Sequence, residues 1–134
     1  MAFNLLVVAL CWGLPVLAAC QNGSTTVNLR NGTVVGVLDE ANHVQSFLGV
    51  PYAEPPVGDL RLTQARPLES SFGHLAADTF GASCYGSGDQ PNASEDCLSL
   101  NIWRPVTDTI GHEALPVLVW FYGGGLTSGY TVRT

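Results

Sequence analysis

Apolar and polar positions along these 134 residues change rhythm several times, and each change predicts an element. The first stretch carries no charge. Met1 to Ala19 contains no charged side chain, and its apolar run from Leu5 to Leu17 is too short to cross a bilayer. Leu17-Ala18-Ala19 and Val16-Leu17-Ala18 each approximate a small-residue cleavage site, so residues 1–19 read as a secretory signal peptide cut after Ala18 or Ala19. Residues 20–134 are then the folded portion. Leu17-Ala18-Ala19-Cys20 also imitates a lipobox that would acylate Cys20, but the leader has no basic n-region.

Beyond the leader the period shortens to that of strands. Thr25–Arg30 and Thr33–Leu38 are β-rich runs separated by Asn31-Gly32, a pair suited to the positive φ angles of a type I′ hairpin turn. Asp39–Asn42 predicts a second turn and Val44–Val50 a third strand. Three prolines between Pro51 and Gly58 cannot donate ladder hydrogen bonds, which makes that segment an ordered loop. Leu60–Asn92 shows little periodicity and reads as loop with short helical turns. The strand signal returns at Leu98–Trp103. Pro116–Tyr122 is a continuous apolar run ending in Gly123-Gly124-Gly125, and such a run predicts a strand buried on both faces of a mostly parallel sheet, hence an α/β architecture.

Composition narrows the possible partners. Five arginines and no lysine stand against eleven carboxylates, for a net charge of −6, which disfavours nucleic acid and anionic membranes. Three sequons, at Asn22, Asn31 and Asn92, are candidate glycosylation sites and agree with a secreted, extracellular protein; no integral membrane segment is expected after leader cleavage. With Cys11 in the leader, Cys20, Cys84 and Cys97 remain, an odd count for an oxidising compartment. Cys84 and Cys97 would close a short loop, a bridge that could stabilise the fold by about 3 kcal/mol in the chain-entropy model. No Cys or His spacing resembles a metal site, and no cofactor is expected.

A glycine triplet after a buried strand lets backbone N–H groups turn inward toward negative charge. A phosphate loop would need a Gly-Lys-Ser/Thr sequence, and this chain has no lysine. Three longer segments decide between a flexible turn and an oxyanion loop. Phe47-Leu48-Gly49-Val50-Pro51-Tyr52-Ala53-Glu54-Pro55-Pro56-Val57-Gly58, with Leu60-Arg61, resembles the proline-rich segment of the type-B carboxylesterase/lipase family, which includes cholinesterases and fungal lipases. Ser94-Glu95-Asp96-Cys97-Leu98-Ser99-Leu100-Asn101-Ile102-Trp103-Arg104-Pro105 resembles its acidic signature, and Leu115–Gly125 its oxyanion strand and loop.

The resemblance implies the N-terminal part of an α/β-hydrolase fold: a β-hairpin plus the first strands of a mostly parallel central sheet. It implies a serine esterase acting on small-molecule or lipid esters. Gly124 and Gly125 match the glycines whose N–H groups supply two oxyanion-hole donors. Cys97 matches a cysteine that pairs upstream, for which Cys84 is the candidate. Arg61 and Glu95 match a buried structural ion pair, whose disruption would cost about 3–5 kcal/mol.

Several positions depart from the family pattern. Ser99 stands where Tyr, Thr or Phe is usual, and Leu126 where an aromatic is usual. The Cys84–Cys97 loop is short and has no tryptophan, which disfavours a quaternary-ammonium substrate. No Gly-x-Ser-x-Gly elbow occurs in the chain, so the nucleophile, acid and histidine of such an enzyme would lie beyond Thr134. Ser128 follows the glycines, but His43, His74 and His112 match no family position. The 134 residues alone are therefore expected to be inactive. A non-catalytic relative, an adhesion or binding protein, is the alternative, and the sequence of the elbow position would separate the two.

Overall fold

The computed structural model describes residues 25–88, 90, 92–106 and 114–131. The signal-peptide reading, Cys11, Cys20, Asn22 and His112 lie outside the described residues.

Two three-stranded sheets carry the fold. In the first, β1 (Thr26–Leu29) pairs antiparallel with β2 (Gly32–Val35), which pairs parallel with β5 (Gly73–Ala76). In the second, β3 (Val37–Asp39), β4 (Val44–Pro51) and β8 (Ser99–Pro105) are antiparallel in that order. Two short segments, β6 (Ser83–Cys84) and β7 (Ala93–Ser94), form a small parallel ribbon. The only helical element among the described residues is a 3-10 turn at Gly58–Leu60.

The hairpin forms, but its turn sits one residue early. Leu29 pairs with Gly32, leaving Arg30-Asn31 as the loop, and neither takes a positive φ, so the turn is not type I′. Asn31 is held instead by its side chain: Nδ2 donates to the Leu68 carbonyl at 2.5 Å and to the Ser70 carbonyl at 3.1 Å. Thr33–Leu38 is likewise not one strand. The chain leaves the first sheet after Val35 and enters the second at Val37, with the Gly36 N–H donating to the Thr25 carbonyl.

The core gathers where the sheets meet. Val34, Phe47, Val50 and Ala77 are buried, with Val27, Phe72 and Leu75 packed against them. Fully burying each larger member contributes about 1.5–3 kcal/mol. Ala77, fully inaccessible, links the two sheets: its N–H donates to the Val35 carbonyl and its own carbonyl accepts from Leu48. Burial along β4 runs Gln45, Phe47, then Val50, a step of two followed by a step of three. A bulge between Phe47 and Val50 resets the phase, with Gly49 at φ +67° and its N–H donating to Asn101 Oδ1 at 2.9 Å. A side chain at Gly49 would press on the Thr79 carbonyl. Gln45, the largest fully buried side chain, accepts a hydrogen bond from Arg104 Nε, while the Arg104 guanidinium lies 5.6 Å from the Phe47 ring centroid.

The described strands of the second sheet pair antiparallel. Pro116–Tyr122 belongs to no ladder among the described residues, and Val117, Leu118, Trp120 and Phe121 are all more than four-fifths exposed. A central strand needs neighbours on both sides, and none of the described strands pairs with this run. β5 falls within Leu60–Asn92, where the sequence predicts loop, because its Gly-His-Leu-Ala sequence has no strand rhythm of its own and its parallel pairing with β2 forms it.

Candidate oxyanion loop and its supports

The proline-rich loop, the disulfide loop and the glycine turn are the three pieces the motifs single out. The proline-rich loop has few donors of its own, so neighbouring segments hold it. Tyr52 N–H donates to the Leu98 carbonyl, Glu54 N–H to the Arg66 carbonyl, and Ala53 bridges to Pro67. The Glu54 carboxylate accepts from the N–H groups of Glu69 and Ser70 and from the Ser70 hydroxyl, at 2.9, 3.2 and 3.1 Å. Those bonds, led by that from Glu69, lower its pKa below the ordinary 4.5. Residues 68–70 are thus gripped from two sides, their carbonyls by Asn31 and their amides by Glu54. The proline-rich motif contained Glu54, but nothing in the sequence paired it or Asn31 with this segment.

Cys84 and Cys97 form a disulfide, with an S–S distance of 2.00 Å and Cα atoms 5.0 Å apart. Arg61 Nε and Glu95 Oε1 approach to 2.7 Å, but Arg61 is 62% and Glu95 33% exposed. The pair is therefore not buried. It ties the 3-10 turn of the proline-rich segment to the acidic signature at the surface, where such pairs contribute about 0–1 kcal/mol. Asn92 is exposed at φ +50°, whereas Asn31 Nδ2, the atom a glycan would occupy, is engaged by two carbonyls.

The glycine turn closes on itself. Gly124 lies at φ +146° and Gly125 at φ +62°, and a Cβ on Gly124 would collide with the Ser128 carbonyl. Only glycine fits the first of these positions. The Gly124 carbonyl accepts from the N–H groups of Thr127 (3.2 Å) and Ser128 (3.1 Å) and from their hydroxyls (3.3 and 3.1 Å). Ser128 Oγ is spent on that turn. No hydrogen bond of the Gly124 or Gly125 N–H to another described residue is formed, and both glycines are exposed. Leu126 follows at φ +63°, a left-handed conformation costly for a residue with a Cβ, and is fully exposed. Ser99, a departure from the motif, sits against Gly81, where an added Cβ would meet its side chain. His43 lies in an exposed turn at φ +53°, and His74 faces solvent from β5; neither approaches the glycines by any hydrogen bond or ion pair.

Residues 23–133 match the carboxylesterase family model. The chain belongs to the carboxylesterase family. A fumonisin B1 esterase from Sphingopyxis macrogoltabida is 37% identical over 122 residues, covering 87% of this chain and 22% of that protein. Acetylcholinesterase from Bungarus fasciatus is 39% identical over 125 residues, covering 80% of this chain and 20% of the relative. Among solved structures, a thermophilic PNB esterase superposes with a TM-score of 0.69 at 34% identity, over 78% of this chain and 22% of that one. The chain thus spans about a fifth of the length of the curated relatives it matches. Its neighbours are esterases of the α/β-hydrolase fold, to which this carboxylesterase-family segment contributes a strand-rich part.

Proposed function

We propose that these residues are the N-terminal part of a secreted carboxylic-ester hydrolase in which Gly124 and Gly125 supply two backbone donors of the oxyanion hole. The observation that carries this reading is the conformation of the glycine turn. Two adjacent N–H groups with no partner among the described residues stand at the end of an apolar run, in a turn whose Gly124 position only glycine fits.

In the proposed reaction a serine elsewhere in the polypeptide attacks the ester carbonyl, and the charge developing on the carbonyl oxygen is met by the two glycine amides. Removing one such donor from a preorganised site costs about 3–4 kcal/mol of transition-state stabilisation. A histidine returns the serine proton to the departing alcohol, and water then releases the acyl group in a second, symmetric step. Residues 20–134 supply none of the three covalent or proton-transfer groups, so by themselves they bind a transition state without generating one. The substrate is a small-molecule or lipid ester. Secretion is supported by the leader and the disulfide; of the sequons, Asn92 is the described site open to a glycan.

The test is the coding sequence that follows Thr134, together with hydrolysis of short p-nitrophenyl esters by the full-length product. An in-frame Gly-x-Ser-x-Gly and turnover that collapses in Gly124→Val are expected. A gene product with the elbow serine replaced would instead be the non-catalytic adhesion or binding relative.

A further inference from the structure

We propose that Thr127, Ser128 and Ser87 are positioning residues that aim the Gly125 N–H, a reading that rests on Gly125 being an oxyanion donor. The peptide between Gly124 and Gly125 is trans, as are all the described peptide bonds, so its carbonyl and its N–H lie in one plane and point in opposite directions. Whatever fixes the Gly124 carbonyl therefore fixes the direction of the Gly125 N–H.

That carbonyl is fixed by four converging donors: the amides of Thr127 and Ser128 at 3.2 and 3.1 Å, and their hydroxyls at 3.3 and 3.1 Å. Glycine pairs otherwise rotate their shared peptide with little resistance, because no Cβ restricts φ or ψ on either side. The hydroxyl side chains replace that missing restriction from the opposite end of the peptide dipole.

The turn is in turn anchored from outside. The Thr127 carbonyl accepts from the Ser87 N–H at 2.7 Å and from Ser87 Oγ at 3.1 Å. Ser87 lies in the loop closed by Cys84–Cys97, three residues from the disulfide. Gly86 beside it has no room for a Cβ, which would come within 2.8 Å of the same carbonyl oxygen. Gln90 Nε2 donates to the Ser87 carbonyl at 3.2 Å and holds the local curve of the loop. The order of constraint thus runs from the disulfide loop through Ser87 to Thr127, from Thr127 and Ser128 to the Gly124 carbonyl, and through the peptide plane to the Gly125 amide. This gives the short Cys84–Cys97 loop a task other than contacting substrate.

The experiment uses the full-length gene product and two readouts: kcat and KM on a p-nitrophenyl ester, and Ki for a trifluoromethyl ketone, whose serine adduct carries the oxyanion. Thr127→Val with Ser128→Ala is expected to lower kcat and raise Ki by the same factor, roughly ten-fold, a fraction of the ~10²–10³ lost with a whole donor. KM should stay within two-fold, roughly. Thr127→Ser with Ser128→Thr, which keeps both hydroxyls, should restore both values. Ser87→Ala, at an exposed position that folding tolerates, should move kcat and Ki the same way by a smaller factor. Gly124→Ala separates the two levels of the argument. If it destroys tight ketone binding while the hydroxyl variants and Ser87→Ala leave Ki unchanged, the oxyanion reading stands and the positioning proposal is overturned. If Gly124→Ala itself leaves Ki unchanged, both fall. Loss that the hydroxyl-keeping variant fails to restore also overturns the proposal, since packing rather than the hydroxyls would then be responsible.

Discussion

Replacing Asn31 by Asp changes one nitrogen for one oxygen and tests how the loop around residues 68–70 is held. In the folded chain Asn31 Nδ2 donates to two backbone carbonyls, Leu68 at 2.5 Å and Ser70 at 3.1 Å, from a half-buried position. Asn31→Asp removes both donors, each contributing about 1 kcal/mol net, and sets a carboxylate oxygen against two carbonyl oxygens. The expected loss at neutral pH is about 2–3 kcal/mol, against about 1–2 kcal/mol for Asn31→Ala, which leaves the carbonyls unpaired without repulsion. The Asp variant also acquires a pH signature. Facing carbonyl oxygens disfavours its charged form, so its folded pKa lies above the ordinary value of about 3.9. Its neutral form regains one donor. The deficit should therefore be smallest below about pH 3.9 and grow as pH rises through the folded pKa. The assay is equilibrium denaturation of the full-length protein from pH 3 to 7, each variant compared with the parent at the same pH. A loss below about 0.5 kcal/mol at neutral pH, or a deficit independent of pH, would show that residues 68–70 do not depend on this clamp. Glycopeptide mapping supplies a second check: Asn92 occupied and Asn31 empty is the expected pattern, because a glycan on Nδ2 cannot coexist with both bonds.

Three further outcomes are expected. A double-mutant cycle of Arg61→Ala and Glu95→Gln should give a coupling of about 0.2–1 kcal/mol, and a value near the 3–5 kcal/mol of a buried pair would contradict the exposure of both side chains. Glu54 has a depressed folded pKa, so its stabilisation is fully present above pH 4.5 and is lost as pH falls through the folded value; Glu54→Gln should flatten that acid limb, measured as Tm against pH. Cys84→Ser with Cys97→Ser should lower stability by about 3 kcal/mol, read by denaturation under non-reducing conditions, and an unchanged midpoint would remove the disulfide loop from the stability argument.

What the amino-acid sequence determined by itself was local or carried by contiguous motifs. The hairpin, β4 and β8 were legible because an alternating or β-branched run needs only a partner of the same kind nearby, and turn residues mark its ends. The glycine turn was legible because three Cβ-free residues after an apolar run have few physical uses. Family membership followed from three long motifs in order. Other features depended on contacts between distant segments and left no local trace. β5 exists through its pairing with β2, 41 residues earlier in the chain, and its own sequence lacks a strand period. Asn31 looked like a turn residue and a sequon, and only the fold brings it to Leu68 and Ser70. The motif points to a buried Arg61–Glu95 pair, yet the exposure at which the two side chains meet is a property of the surface around them, which no pairwise pattern records. The apolar run Pro116–Tyr122 shows the same limit from the other side: its sequence specifies a buried strand, but a strand's burial is supplied by its neighbours, and none of the described strands stands beside it. Rhythm and composition write the elements into the chain, while pairing and exposure are written only when segments far apart in sequence come together.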